Sequence, residues 1–345
     1  MHFASDNAGP AHPKVMEALV RANEGYAMPY GAEAAMERLR ERLRAMFDAP
    51  DAAIYLVATG TATNVLLLAA MTKPWQVIYC SDVAHIREDE CGAPEFFTGG
   101  ARLGVVEAPD AMMTAEGLSA RIAATDQGTV HTMQRGPVSV TTVTERGSVY
   151  PLDRLAALTD VARKNGLACH LDGARFGNAQ VSLGCSTAEL AAGFDAISFG
   201  GTKNGLLGVE AAVIRDPSLA WEFELRRKRA GHLVSKHRYL SAQMEAYLED
   251  DLWLEMAAAA NAAAARLADG LRASGIATIL HPADANVIYC AFPRAAHRRL
   301  KAAGAQFYSM GALAGPDDAL VPARLVCDWS AAARNTDRFL SILSG

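Results

Sequence analysis

The sequence lacks any closely spaced pair of cysteines. Its six cysteines lie at positions 80, 91, 169, 185, 290 and 327, and no two of them have the CxxC spacing. This absence excludes a zinc ribbon and a thioredoxin-type redox pair. Most of the thiols lie in apolar runs such as "VIYC" and "NVIYC", where cysteine is usually a small core residue. The pattern favours a reducing compartment, and we predict a cytoplasmic protein without a metal site.

The sequence also lacks long apolar runs and a strong charge of either sign. No stretch approaches the roughly 20 consecutive apolar residues that a membrane-spanning helix requires. The opening "MHFASDNAGP" has no basic segment followed by an apolar one, so we predict no signal peptide. The net charge of −5 gives no electrostatic reason to expect nucleic acid or a membrane surface as a partner.

The sequence does contain a regular alternation of strand and helix signals. Apolar runs such as "AAIYLVATG" (52–60) and "LACHLDG" (167–173) alternate with amphipathic helical segments. This order predicts an α/β fold with a mainly parallel sheet. The length of 345 residues favours a large domain, residues 1–238, and a smaller α+β domain, residues 239–345. We expect the second domain to begin with one long alanine-rich helix, from about 239 to 273.

Ligands of parallel α/β sheets gather at the carboxyl ends of the strands, and the first informative strand end reads "ATGTATN" (58–64). The chain turns there through Gly60 into a helix that starts near Thr61. Free N–H groups, hydroxyls and the helix dipole at such a point suit a phosphate. The alternative is a simple helix cap. The segment is neither a P-loop, because the lysine is missing, nor a GxGxxG turn.

A histidine follows the next strand closely, in "SDVAHIREDECG" (81–92). His85 is suited to stack on a flat ligand or to act as an acid or base. The alternative is a loop histidine that is hydrogen-bonded to a neighbouring carboxylate. We predict that Glu88, Asp89 and Glu90 form a solvated face.

Two further strand ends, "HLDGARFGNA" (170–179) and "SFGGTKNG" (198–205), contribute an acid, an arginine and a lysine. Asp172 would either cap the next turn or keep a ring nitrogen protonated. Arg175 would then be free to bind a carboxylate with its planar fork. Lys203 lies between glycines in a chain with only seven lysines. Taken alone, this motif predicts either a reactive amine or a surface lysine in a turn.

The combination is more specific than any of its parts. It comprises an early phosphate seat, an aspartate 31 residues before a lysine, and an arginine three residues after that aspartate. Pyridoxal 5'-phosphate needs an anion site for its phosphate, a lysine for its aldehyde and an acid for its pyridine nitrogen. We therefore predict pyridoxal phosphate as the cofactor.

The segments "FASDNAG", "MPYG", "VATGTATN", "HLDGARFGNA" and "SFGGTKNG" resemble those of the low-specificity L-threonine aldolases. The resemblance runs from about residue 3 to "RLVCDW" near residue 330, and the motifs occur in the family's order. It implies the aspartate-aminotransferase fold, which is the type I fold of pyridoxal-phosphate-dependent transferases. That fold has a large domain with a mainly parallel sheet and a smaller α+β domain at the carboxyl end.

The resemblance also implies roles for individual residues. Lys203 would bind the cofactor aldehyde, Asp172 would face the pyridine nitrogen and His85 would stack on the ring. The remaining implied contacts are the phosphate with Gly60, Thr61 and Lys228, the substrate carboxylate with Ser5, Arg175 and Arg324, and an active-site tyrosine at Tyr30. Lys228 would come from the neighbouring subunit, since family members are usually tetramers built as dimers of dimers with shared active sites.

One position departs from the family's pattern. Many threonine aldolases carry a histidine after the strand that here reads "VTTVTERGSVYP", and Glu145 stands at that place. His85 therefore becomes the main histidine candidate. The base for the β-hydroxyl would be His85, or a water held by His85 and Glu145.

The reaction implied by the resemblance is cleavage of L-threonine, L-allo-threonine and related β-hydroxy-α-amino acids to glycine and an aldehyde. Three alternatives use the same scaffold: a phenylserine-preferring aldolase, another pyridoxal-phosphate β-lyase and a racemase. A non-catalytic protein that binds pyridoxal phosphate or another small molecule is an alternative from a different class. The partners we expect are an amino-acid substrate and further copies of the chain.

Overall fold

A seven-stranded sheet forms the centre of the computed structural model, which describes residues 1–345. Its strands lie in the order β1-β7-β6-β5-β4-β2-β3. The strands are β1 Ala53–Val57, β2 Gln76–Ser81, β3 Arg102–Val106, β4 Gln134–Thr141, β5 Cys169–Gly173, β6 Ala196–Gly200 and β7 Glu210–Ile214. Strands β5, β6 and β7 are buried along their whole length, as expected for a sheet covered on both faces.

Six of the seven strands run in the same direction. Strands β2 to β6 pair in parallel, whereas β7 runs antiparallel to both of its neighbours, β1 and β6. The predicted mainly parallel α/β sheet is thus confirmed. Because the carboxyl ends of parallel strands meet at one edge, the loops that follow β1, β2, β5 and β6 converge there.

Helices pack around this sheet, and others pack against a second sheet near the carboxyl end of the chain. They are α1 Pro13–Ala22, α2 Ala34–Met46, α3 Gly60–Met71, α4 His85–Glu88, α5 Ala93–Thr98, α6 Ala115–Ala123, α7 Leu152–Lys164, α8 Phe176–Leu183, α9 Thr187–Leu190, α10 Ala220–Arg229, α11 Arg238–Leu248, α12 Leu252–Ala273, α13 Arg294–Ala302 and α14 Ala333–Ser344. None of them has both the length and the apolar character needed to cross a bilayer.

The predicted long alanine-rich helix is in fact two helices. Helix α11 ends at Leu248, and α12 begins at Leu252 after a 3-10 turn. Asp250 and Asp251 in that turn have φ angles of 51° and 55°, which end the helical hydrogen bonding. Aspartate is one of the few residues other than glycine that tolerates this left-handed region. The prediction was wrong here because the acids of "EDD" do not by themselves break a helical pattern.

A second, four-stranded antiparallel sheet lies toward the carboxyl end of the chain. Its order is β10-β11-β9-β8, with strands β8 Thr278–Ile279, β9 Val287–Pro293, β10 Tyr308–Ser309 and β11 Leu320–Val326. Its core includes Phe3, whereas the core of the large sheet takes in Leu240 and Met256. The division into domains at residues 238 and 239 stays a prediction.

Candidate active site

Asp172 ends strand β5 inside the protein. Its side chain is buried, with a relative exposure of only 2%. One carboxylate oxygen accepts the backbone N–H of Ala174 at 3.1 Å, and the other accepts the side-chain amide of Asn64 at 3.0 Å. The cap-like bond to Ala174 and the bond to Asn64 together fix the plane of the carboxylate. Neither bond consumes both lone pairs of an oxygen, so the carboxylate can still accept from a ligand.

Lys203 follows the neighbouring strand, β6, at the same edge of the sheet. The parallel register places Asp172 opposite Ser198, two residues before β6 ends. The lysine lies in a 3-10 turn, Thr202–Asn204. Glu210, which is buried on β7, accepts the backbone N–H of Gly201 at 2.9 Å and thereby anchors the start of this turn. The turn therefore presents Lys203 from a rigid base.

The amine of Lys203 has the electrostatic setting of a nucleophile. Burial lowers the pKa of this amine, and the positive charge of Arg175 lowers it further. The carboxylates of Asp6 and Asp172 act in the opposite direction. No group of the chain forms a hydrogen bond with its Nζ atom. A desolvated, unbound amine is the form that attacks a carbonyl carbon.

The start of helix α3 provides an anion site. The helix begins at Gly60, and the Thr59 side chain caps it by accepting the N–H of Ala62 at 3.2 Å. The backbone N–H groups of Gly60 and Thr61 donate to no group of the chain. A Cβ atom at Gly60 would meet nothing within 4 Å, so packing within the chain does not require glycine there. Two free N–H groups at a helix start are suited to a phosphate.

His85 lies between two carboxylates. Its Nδ1 is 2.8 Å from Oε1 of Glu90, and its backbone N–H donates to Glu145 at 2.7 Å. The hydrogen bond to Glu90 raises the pKa of His85 despite the partial burial of the ring. Burial raises the pKa of Glu145 to about 7. The structure thus brings His85 and Glu145 together, whereas a water held between them stays a prediction.

The prediction that Glu90 lies on a solvated face was wrong. Glu90 has a relative exposure of 4% and is hydrogen-bonded to His85 and Asn64. The chain turns sharply inward there, because Cys91 and Gly92 have φ angles of 52° and 72°. This turn directs Glu90 to the interior, and the run of acids in the sequence gave no sign of it.

Arg175 is not free, in contrast to the prediction. Its Nε and Nη2 donate to the two carboxylate oxygens of Asp6 at 2.6 and 3.0 Å, and both side chains are buried. Asn286 also donates to Asp6, at 3.0 Å. The remaining nitrogen, Nη1, forms no hydrogen bond within the chain. Only this side of the guanidinium is left for a substrate carboxylate.

Arg324 and Ser5 lie beside the same segment of chain. Arg324, on β11, donates to the carbonyl of Ala4 at 3.2 Å. Burial lowers the pKa of Arg324, and the positive charge of Arg175 adds to the effect. Ser5 accepts the N–H of Asn7 at 3.1 Å. The three residues predicted for a substrate carboxylate thus surround one short turn.

Tyr30 and Lys228 form a separate pair. The Lys228 amine lies 5.3 Å from the centre of the Tyr30 ring, and Ser235 donates to the Tyr30 hydroxyl at 3.3 Å. Tyr30 is 47% exposed, and neither residue is hydrogen-bonded to Lys203, Asp172 or the start of α3. Within one chain, the structure therefore does not join this pair to the other predicted site residues.

The clustered groups fit pyridoxal phosphate. The free N–H groups of Gly60 and Thr61 match a phosphate, the unbound amine of Lys203 matches an aldehyde, and the buried carboxylate of Asp172 matches a basic ring nitrogen. Sequence reasoning missed Asn64, Asp6 and Glu90. The first two lie inside the quoted segments "VATGTATN" and "FASDNAG", but neither one's partner is near it in sequence.

Comparison with known proteins agrees with this description. The family model described as beta-eliminating lyase matches residues 2–292. A low specificity L-threonine aldolase from Pseudomonas aeruginosa is 37% identical over 329 residues, which is 95% of this chain and 92% of that protein. A Leishmania major threonine aldolase structure matches with a TM-score of 0.93 at 25% identity, over 99% of this chain and 98% of that one.

The fold is shared more widely. A serine palmitoyltransferase structure from Sphingomonas wittichii matches with a TM-score of 0.71 at 13% identity, over 100% of this chain and 86% of that one. The predicted resemblance and the predicted type I fold are confirmed.

Proposed function

Because this chain belongs to the beta-eliminating lyase family, we propose that it cleaves L-threonine, L-allo-threonine and related β-hydroxy-α-amino acids to glycine and an aldehyde, using pyridoxal phosphate. The observation that carries this proposal is the placement of Lys203 and Asp172 at adjacent ends of β5 and β6, beside the anion site of α3. The identity of 37% to a threonine aldolase over 95% of the chain supports the choice of substrate.

The chain's own residues divide the work of binding. The N–H groups of Gly60 and Thr61 would bind the phosphate, and Asp172 would hold a proton on the ring nitrogen. Bound pyridoxal phosphate supplies an electron sink for the electrons of the bond that breaks. Arg324 and the free Nη1 of Arg175 bind the substrate carboxylate, with Ser5 beside them. This anchoring would fix the orientation of the bonds at the substrate Cα.

The chain must also remove the proton of the β-hydroxyl group. We assign this step to Nε2 of His85, because Nδ1 is bonded to Glu90. A water held between His85 and Glu145 is the second possibility, since a Glu145 carboxyl with a pKa of about 7 can accept a proton at neutral pH. In both cases the proton moves to a group in the same corner of the site.

Product analysis tests the proposed function. The purified protein with pyridoxal phosphate is incubated separately with L-threonine, L-allo-threonine, L-phenylserine, L-serine and L-alanine. We expect L-threonine and L-allo-threonine each to give glycine and acetaldehyde in a one-to-one ratio. Keto acid and ammonia would identify a β-eliminating enzyme instead, and D-alanine from L-alanine would identify a racemase. Absence of any turnover would support a non-catalytic binding protein.

We further propose that the protein is a cytoplasmic homotetramer, a dimer of dimers in which Tyr30 and Lys228 serve the neighbouring subunit's site. The support is an exposed apolar segment: Tyr26, Met28 and Tyr30 are 107%, 65% and 47% exposed. A segment of large apolar side chains in water is typical of an interface. All six cysteines are unpaired, which supports a reducing compartment.

Subunit complementation tests this sharing. Lys203→Ala and Lys228→Ala chains are each expected to have little activity. If the site is shared, random mixing after partial unfolding should restore about a quarter of the wild-type sites, because half the dimers are hybrids with one intact site. Sedimentation should show a tetramer. Recovery of no activity in verified hybrids would contradict the proposal.

A further inference from the structure

The buried side-chain amide of Asn64 joins Asp172, at the end of β5, to Glu90, in the segment that follows β2. Asn64, on helix α3, is 2% exposed. Its Nδ2 donates one hydrogen to Glu90 and the other to Asp172, both at 3.0 Å. Its Oδ1 accepts the hydroxyl of Ser198 at 2.7 Å. Both amide hydrogens are therefore used, and each goes to a carboxylate.

The orientation of this amide is fixed by its partners. A flipped amide would place its oxygen against two carboxylates, with no hydrogen between them. Ser198 has one hydrogen and gives it to Asn64, so its oxygen accepts from Nε2 of His170 at 3.2 Å. Nδ1 of His170 then accepts from Ser139 at 2.9 Å. Burial lowers the pKa of His170 to about 4, which keeps this ring neutral and the pattern unchanged.

The same reasoning fixes the tautomer of His85. Oε1 of Glu90 accepts from Asn64 and lies 2.8 Å from Nδ1 of His85. While Glu90 is ionised it can only accept, so Nδ1 of His85 then carries the hydrogen. Nε2 is consequently the nitrogen that is free to take a proton. Glu90 contributes no other hydrogen bond, because its Oε2 is buried without a partner.

We propose that Asn64 and Glu90 are positioning residues for this enzyme: Glu90 holds His85 with Nε2 free, and Asn64 ties that pair to the Asp172 carboxylate. The role of His85 as a base rests on the proposed function, whereas the hydrogen-bond arrangement does not. The arrangement makes the imidazole and the ring-facing carboxylate one connected unit, so a change at Asn64 reaches both.

The direction of each effect follows from the charges that face His85. These are the carboxylates of Glu90 and Asp172 and the amine of Lys203. The Glu145 carboxyl group also lies close, since it accepts the backbone N–H of His85. Glu90→Gln removes the negative charge in direct contact with the ring, so the pKa of His85 should fall. Asn64→Ala removes a hydrogen bond that partly neutralises the negative charge of Glu90. More of that charge then acts on the imidazole, so the pKa of His85 should rise.

The test measures His85 directly in the full-length protein, with and without pyridoxal phosphate. Nitrogen-15 spectra of histidine-labelled protein give the tautomer and the pKa, and the signal is assigned by its loss in His85→Gln. We expect the Nδ1–H tautomer in the wild type, a lower pKa in Glu90→Gln and a higher pKa in Asn64→Ala. In the double variant, the Asn64 effect should shrink, because the part that acts through Glu90 is lost and only the part that acts through Asp172 remains.

Asn178→Ala is the matched control. Asn178 is also a buried amide, but it pairs with Asn261, at 2.9 Å, outside the site. It should lose stability without moving the pKa of His85. Asn64→Ser replaces Asn64→Ala if the alanine variant fails to fold. The inference is wrong if His85 titrates identically in the Asn64 and Asn178 variants, or if the Asn64 shift is undiminished in the Glu90→Gln background.

Activity adds a second measurement that depends on the proposed function. Because small displacements of catalytic groups can cost about 100-fold, we expect kcat to fall by about that factor in Asn64→Ala. Glu90→Gln should also move the acidic limb of the kcat/KM profile to lower pH. A shifted His85 pKa in a protein that yields no glycine would overturn the proposed function and keep the positioning roles. Normal turnover to glycine with no shift in the pKa of His85 would overturn the positioning roles and keep the proposed function.

Discussion

Replacing Lys203 with alanine is expected to abolish covalent binding of pyridoxal phosphate and to lower kcat by roughly 10⁴-fold or more, as for other lost nucleophiles. The lysine is the desolvated amine of the site, and no other lysine follows a strand end at this edge of the sheet. The measurement is mass spectrometry after borohydride reduction. The wild type should carry the reduced cofactor on the peptide that contains Lys203.

The control for this variant is Lys164→Ala. Lys164 is exposed in the last turn of α7, which precedes β5, so it lies toward the amino end of that strand, whereas Asp172 lies at its carboxyl end. It should retain full labelling and activity. Labelling of a different lysine in the wild type, or undiminished turnover in Lys203→Ala, would contradict the assignment.

Asp172→Asn should lower kcat on the order of 100-fold or more while leaving the fold intact, because a preorganised charge at the reacting centre is lost. The asparagine still has an oxygen that can accept from Asn64 or Ala174, so the loop keeps part of its bonding. What disappears is the negative charge that, in the proposed function, keeps the ring nitrogen protonated. We expect kcat to fall much more than KM changes, since the substrate carboxylate is bound elsewhere.

Asp195→Asn is the matched control for this second variant. Asp195 precedes strand β6 at the opposite edge of the sheet and accepts the backbone N–H of Cys169 at 2.7 Å. Its replacement removes a comparable negative charge, leaves an oxygen that can still accept this hydrogen bond, and does not touch the site. Equal losses of kcat in both variants would show that Asp172 acts only through stability.

Much of this molecule could be predicted from its sequence because each feature was local. The strand that ends in Asp172, the helix that starts at Gly60 and the turn that presents Lys203 each depend on fewer than a dozen neighbouring residues. Their convergence follows from the parallel sheet, which the alternation of strands and helices predicts. The positions of these residues required no knowledge of distant contacts.

The features that were missed depend on distant partners or on single backbone angles. Glu90 turns inward because of the two left-handed residues after it, and Asp6 gains its role from Arg175, which is 169 residues away. The break between α11 and α12 depends on two aspartates in the same left-handed region. Composition and periodicity report neither a distant partner nor a φ angle, so these features became visible only in three dimensions.

The ion pair between Asp6 and Arg175 has a consequence for the order of events during translation. When the ribosome has synthesised the anion site of α3 and His85, it has not yet synthesised Arg175, the partner of Asp6, or Lys203. The early part of the chain therefore emerges with Asp6 still hydrated. It also lacks the lysine that, in the proposed function, binds pyridoxal phosphate covalently. Covalent binding of the cofactor would thus require a chain that has been synthesised beyond β6, since Lys203 follows that strand.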